Sequence, residues 1–158
     1  MRRAALPVML VLAAAFTSAQ TRTDFSGHWV LVAAGPERPD FDAFWLGTEA
    51  IVTQTGTTLT IQRVGAPERT AVFHLDGRES ENVYTIDGER HIKSSRTTLG
   101  ANLLISTDTT SPNGDRWLWH INRWSLDAEG TLLVTDTQIC GRGECPSIVT
   151  NLRFRKQE

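Results

Sequence analysis

Phe25-Ser26-Gly27-His28-Trp29-Val30-Leu31 reads as the opening of a first β-strand, and the rest of the chain is organised around it. Gly27 has no side chain, so a neighbour can approach its backbone closely. Trp29 is a large apolar group that needs burial and a partner for its indole N–H. Val30 and Leu31 continue the run with residues that suit a pleated, half-buried surface.

Downstream, short runs rich in Val, Ile, Thr and Trp alternate with Gly, Asp and Asn. The pattern predicts strands over 26–34, 49–55, 58–64, 69–75, 82–87, 90–98, 101–109, 116–126, 131–139 and 147–155. Asp76-Gly77, Asp87-Gly88 and Pro112-Asn113-Gly114-Asp115 are hairpin signals, because Gly and Asn tolerate positive φ. Every connection after residue 50 is short, so neighbours pair antiparallel; a parallel crossover needs about a dozen residues or more. The expected fold is all-β, an antiparallel up-and-down meander barrel of about eight to ten strands. The long first connection, 35–48, holds Asp40-Phe41-Asp42-Ala43-Phe44-Trp45-Leu46, read as one helical turn. Its Phe41, Phe44 and Trp45 either plug one end of the barrel or fold over its mouth.

Three stretches carry a family resemblance: Asp24–Trp29, Ile51–Ile61 and Trp124–Leu132. The Gly27-X-Trp29 spacing at the start of an all-β chain resembles the first-strand signature of the calycin superfamily, above all the lipocalins. The chain is similar to small exported bacterial lipocalin-like domains of unassigned function. The resemblance implies that Trp29 closes the barrel floor, with a basic residue of the last strand packed across it. Arg153 and Arg155 are the candidates for that residue. The fold implied here does not dictate a function.

The residues before Gln20 look like a secretory signal. Arg2 and Arg3 supply the positive start, Ala4 to Phe16 an apolar run, and Thr17-Ser18-Ala19 small residues for cleavage. The run is too short to span a bilayer, which takes about 20 apolar residues, so no membrane anchor is expected after cleavage. The expected organisation is a signal over 1–19 and one barrel domain over 20–158, exported to the periplasm or the medium. Removing two Arg with the leader moves the net charge from −2 to about −4. A mildly acidic domain without a basic block is a poor partner for nucleic acid. Cys140 and Cys145 flank a loop carrying Gly141 and Gly143, and an oxidising compartment favours a disulfide between them. Their four-residue spacing, with no second Cys/His pair, argues against zinc.

Most strands alternate simply, as in Leu59 and Ile61, or Ala71, Phe73 and Leu75. Two do not. Over 90–98, His91, Lys93, Ser95 and Thr97 point one way and Ile92, Ser94, Arg96 and Thr98 the other, so neither face is apolar. Such a strand is an exposed edge or one wall of a polar interior. In the second case either Lys93 or Arg96 is an inward cation able to meet a ligand's acid group. Over 116–126, Trp117, Trp119 and Ile121 share one face, and Leu118, His120, Asn122, Trp124 and Leu126 the other. Either something covers the outside of this strand, or a bulge near Asn122 brings Trp117, Trp119 and Ile121 inside.

Motifs for a nucleophile elbow, a phosphate loop, a zinc protease or a dinucleotide site are all absent from the sequence. His28, His74, His91 and His120 are scattered one per strand, and no metal or cofactor is expected from their spacing. The expected function is therefore non-catalytic. Lys93 or Arg96, with Trp117, Trp119 and Ile121, would bind a small amphipathic molecule, one with an acidic head, in the barrel cavity. The alternative is an envelope or secreted interaction protein, an inhibitor or structural module, with a filled barrel and a protein partner.

Overall fold

The computed structural model describes residues 22–34, 45–86, 88–110, 114, 116–140 and 147–158, without the side chains of Ala34, Ile86, Glu89, Arg116, Trp117, Leu118 and Cys140. Among them are ten strands: β1 (Gly27–Ala34), β2 (Glu49–Gln54), β3 (Thr58–Arg63), β4 (Ala66–His74), β5 (Ser80–Ile86), β6 (Glu89–Leu99), β7 (Leu103–Thr110), β8 (Arg116–Leu126), β9 (Leu132–Cys140) and β10 (Ile148–Gln157). Each answers to one of the ten strands expected from alternation. The signal over 1–19, Phe41, Phe44, Cys145 and most of the expected helical turn lie outside the described residues.

All pairing is antiparallel, in the order β4-β3-β2-β1-β10-β9-β8-β7-β6-β5. Apart from β4 and β5, strands consecutive in the chain pair with each other, and β1 joins the two halves by pairing with both β2 and β10. Gly88 in the β5–β6 hairpin and Gly77 in the turn from β4 to β5 both carry φ of 82°, a conformation that the missing side chain permits. The sheet curls until its edges, β4 and β5, face each other, giving a nearly closed barrel.

That seam has no backbone ladder among the described residues. Side chains bridge it instead. Asn82 Oδ1 accepts the Val72 N–H at 2.8 Å, and Asn82 Nδ2 donates to the Val72 carbonyl at 3.0 Å. Ser80 Oγ accepts the His74 N–H at 2.7 Å, and Thr97 Oγ1 donates to the His74 carbonyl. Two short polar side chains of β5 thus occupy an edge that would otherwise expose unpaired backbone groups.

At one end the apolar core collects around the opening stretch. Phe25, Trp29 and Trp124 are buried, and Phe25 meets Trp124 edge to face at 5.9 Å. Trp29 Nε1 donates to the Phe25 carbonyl at 2.9 Å, which satisfies the indole. Lys156, on the inward face with Leu152 and Phe154, stands opposite Trp29 in the register. Its Nζ is 5.8 Å from the Trp29 ring, a cation–π contact. The basic residue across the tryptophan is therefore Lys156, not Arg153 or Arg155. Those two alternate onto the outer face, where Arg153 lies 3.8 Å from Asp127. A methyl group on Gly27 would come within 2.5 Å of the Lys156 side chain, so Gly27 makes room for it.

The β8–β9 turn shows how local chemistry sets a connection. Asp127 Oδ1 accepts the N–H groups of Thr131 at 2.8 Å and Glu129 at 3.0 Å. The Thr131 N–H is the largest of the influences that hold the Asp127 carboxyl below its usual pKa. A carboxyl depressed in the folded state stabilises above its unfolded pKa of about 3.9, and that contribution vanishes as pH falls through the folded value. Asp127→Ala should therefore melt below the wild type at neutral pH, with the gap narrowing in acid; a gap independent of pH contradicts this reading of the turn.

Candidate functional site

Along β5 to β10 the inward face is graded from polar to apolar, while that of β2 to β4 is apolar throughout. Register places Ser80, Ser95, Thr107, His120 and Gln138 on one inward rung. Asn82, Lys93 and Thr109 form the rung above. Below come Thr97, Ile105, Asn122, Asp136 and Thr150, then Leu99, Leu103, Trp124, Val134 and Leu152. Strand β6 is thus an interior wall, and its apparently two-sided polarity has a physical reason. One polar face meets the buried polar side chains of the interior, and the other meets solvent.

Alternation left open which cation of β6 points inward. The structure puts Lys93 inside, 5 % exposed. Arg96 is on the outer face, 71 % exposed at its side chain and 3.3 Å from Glu79, so it does not line the interior. The Lys93 Nζ lies 4.5 Å from the Tyr84 ring centroid and 5.2 Å from that of Trp45. Two aromatic faces offset part of the cost of taking an ammonium out of water. Trp45 in turn packs edge to face on Phe73 at 5.0 Å and tilted on Tyr84 at 5.2 Å. This part of the long connection therefore plugs the barrel end beside Lys93. Burial raises the pKa of the Tyr84 hydroxyl, more than the positive charges of Arg63 and Arg69 lower it, so it remains a neutral phenol.

Strand β8 settles the other open question. Its pairing with β9 is regular from Leu118 to Leu126, and that with β7 shifts only between Thr109 and Thr110. No bulge near Asn122 swaps its faces. Trp119 and Ile121 consequently face outward, and the Trp117 side chain lies outside the described residues. The Trp119 Nε1 donates to Ser106 Oγ at 2.8 Å on the outer surface. The inward residues are His120, Asn122, Trp124 and Leu126. Of the expected ligand-binding residues whose side chains are described, Lys93 faces the interior and Arg96, Trp119 and Ile121 do not.

Sequence reading missed the centre of the polar wall. His120 and Asp136 are 2 % and 1 % exposed, and His120 Nδ1 is 3.1 Å from Asp136 Oδ2 and 3.3 Å from Oδ1. The signal was present: Asp136 continues the alternation of Leu132 and Val134, and His120 that of Trp124. On these rungs the buried atoms His120 Nε2, Gln138 Oε1, Asn122 Nδ2, Thr109 Oγ1 and Trp124 Nε1 have no hydrogen-bond partner among the described residues. Ser95 and Thr107 satisfy each other at 2.8 Å. Buried polar groups in native proteins are normally paired, so five unpaired atoms on adjoining rungs point to something that meets them there.

Among the described residues no three His, Cys, Asp or Glu side chains gather as a metal site. His28 faces outward onto Glu49 at 2.7 Å. Cys145 and the Cys140 side chain lie outside the description. The wall can donate from Asn122, Thr109 and Lys93, accept at His120, and present apolar surface two rungs below. No protein-family model matches the chain, and no curated protein sequence matches it.

Proposed function

We propose that the barrel interior binds a small amphipathic molecule with an acidic head, as an exported, non-catalytic binding protein. The observation that carries this reading is the buried ammonium of Lys93 on a wall whose neighbouring polar atoms are open, above an apolar floor. The acid lies toward Lys93 and Thr109, and the apolar body lies against Ile105, Leu103 and Trp124. Each buried CH₂ contributes about 0.8 kcal/mol. The resemblance of the opening strand to lipocalins, and the leader-like residues before Gln20, agree with such a carrier outside the cytoplasm.

A specific observation favours a second reading, an interaction protein. The outer face of β8 to β10 places Trp119 beside Ile139, and Ile121 one residue from Val149, itself 51 % exposed. A protein partner would use that face and leave the interior alone.

The test of the first reading is a titration of decanoic acid and decanol, followed by indole emission, on the wild type and on Lys93→Met. The charge-assisted contact is worth roughly 1.5–3 kcal/mol. Lys93→Met is expected to weaken the acid about tenfold to a hundredfold and to leave the alcohol within about twofold. Equal affinity of the variant for both compounds at unchanged acid affinity removes Lys93 from the site.

A further inference from the structure

We infer that His120, with Asp136 behind it, reads a hydroxyl group on the ligand, so that the preferred class is a hydroxylated amphipathic acid, a hydroxy fatty acid or a phenolic acid. This deepens the binding proposal above and rests on it.

The argument starts from the Asp136 carboxylate, which can only accept hydrogen bonds. Its oxygens lie 3.1 and 3.3 Å from His120 Nδ1, so the ring proton stands on Nδ1. In the neutral imidazole this leaves Nε2 with a lone pair. That atom is buried, on a side chain 2 % exposed, and it has no hydrogen-bond partner among the described residues. It is held in place by a carboxylate that is itself 1 % exposed.

The chemistry of the neighbours narrows what fits. A lone pair backed by a carboxylate repels another carboxylate, so the acid end of a ligand goes elsewhere on the wall, toward Lys93. Lys93 and His120 are two strands and one rung apart, on the order of 10 Å between backbones. An acid at one and a donor at the other therefore require two polar groups separated by several bonds. One rung below His120, Asn122 offers an unpartnered Nδ2 donor from a side chain 3 % exposed. A hydroxyl both donates and accepts, so one O–H can serve His120 Nε2 and Asn122 Nδ2 together. An ammonium or amide N–H would satisfy the imidazole and leave the Asn122 donor facing another donor. An apolar ligand would leave both buried atoms unmet.

The experiment compares para-hydroxyphenylpropionic acid with phenylpropionic acid, and an ω-hydroxy fatty acid with its parent, by indole emission on the intact protein. The wild type is expected to bind at least one hydroxylated member about tenfold tighter than its parent, the worth of one buried hydrogen bond. His120→Phe keeps a ring and removes the acceptor. It should bring that pair within about twofold, the ratio cancelling any effect common to both acids. Nitrogen NMR of the His120 ring in the unmodified protein makes the test independent of the variant's folding. The Nε2 resonance should move with the hydroxylated acid and stay still with the parent. Equal affinities within both pairs, with an unmoved Nε2 resonance, overturn the hydroxyl site and leave the acid-binding proposal standing. No binding of any of the four compounds at millimolar concentration overturns both.

Discussion

Trp29→Ala is expected to lower the stability of the protein by about 3–5 kcal/mol, as large-to-small changes at a buried aromatic do. Trp29 is 1 % exposed and lies on the inward face of β1, which alone pairs with both halves of the meander. Alanine leaves a cavity beneath Lys156 and frees the Phe25 carbonyl that the indole N–H now satisfies at 2.9 Å. Phe25 in turn holds Trp124, so the loss spreads into the apolar rung below the polar wall. The segment before β1 loosens too, because Gln54 ties it through the Phe25 N–H at 3.1 Å and the Thr23 carbonyl at 2.9 Å. Urea denaturation measures the effect. An unchanged midpoint with an unchanged slope means that the floor does not depend on Trp29.

Asn82→Leu is expected to cost about 2–4 kcal/mol and to open the barrel along one line. The substitution keeps the size of the side chain and removes both bonds to Val72, at 2.8 and 3.0 Å. No backbone ladder between β4 and β5 is present among the described residues to take over. Amide exchange should therefore quicken at Val72 and at His74, whose N–H is held by Ser80 one step along the seam. Exchange at Leu133 to Val134, between β8 and β10, should change little at matched global stability. Uniform acceleration everywhere means that the seam is no weaker than the rest of the sheet.

The strands were legible because the chain alternates cleanly and ends its runs on turn residues. The Asp-Gly pair at 87–88 marks the β5–β6 hairpin, whereas that at 76–77 turns the chain without pairing β4 to β5. What alternation does not carry is its sign. A strand with two polar faces, such as β6, can present Lys93 or Arg96 inward, and the choice is set by long-range partners: Trp45 and Tyr84 for the first, Glu79 for the second. Strand β8 shows the same limit. Trp119 looks like an interior residue by type, yet its indole finds Ser106 across the outer surface, and His120 takes the inward place. Lys156 was readable from the Leu152–Phe154 alternation but lies one residue beyond the expected strand end. Asp136 looked solitary because its partner is 16 residues away on the neighbouring strand, one rung off. The closure by Asn82 and Ser80 leaves no trace in a pattern of apolar residues. It depends on two polar side chains meeting a backbone edge.

The central claim, that the ligand lies inside the barrel against the graded wall, is tested most directly by intermolecular NOEs from bound decanoic acid. The methylene protons should contact the side chains of Leu103, Ile105 and Trp124, with the carboxyl end nearest Lys93. Contacts from those protons to Trp119, Ile121 and Val149, with none to the interior, would contradict the claim and transfer the function to the outer face.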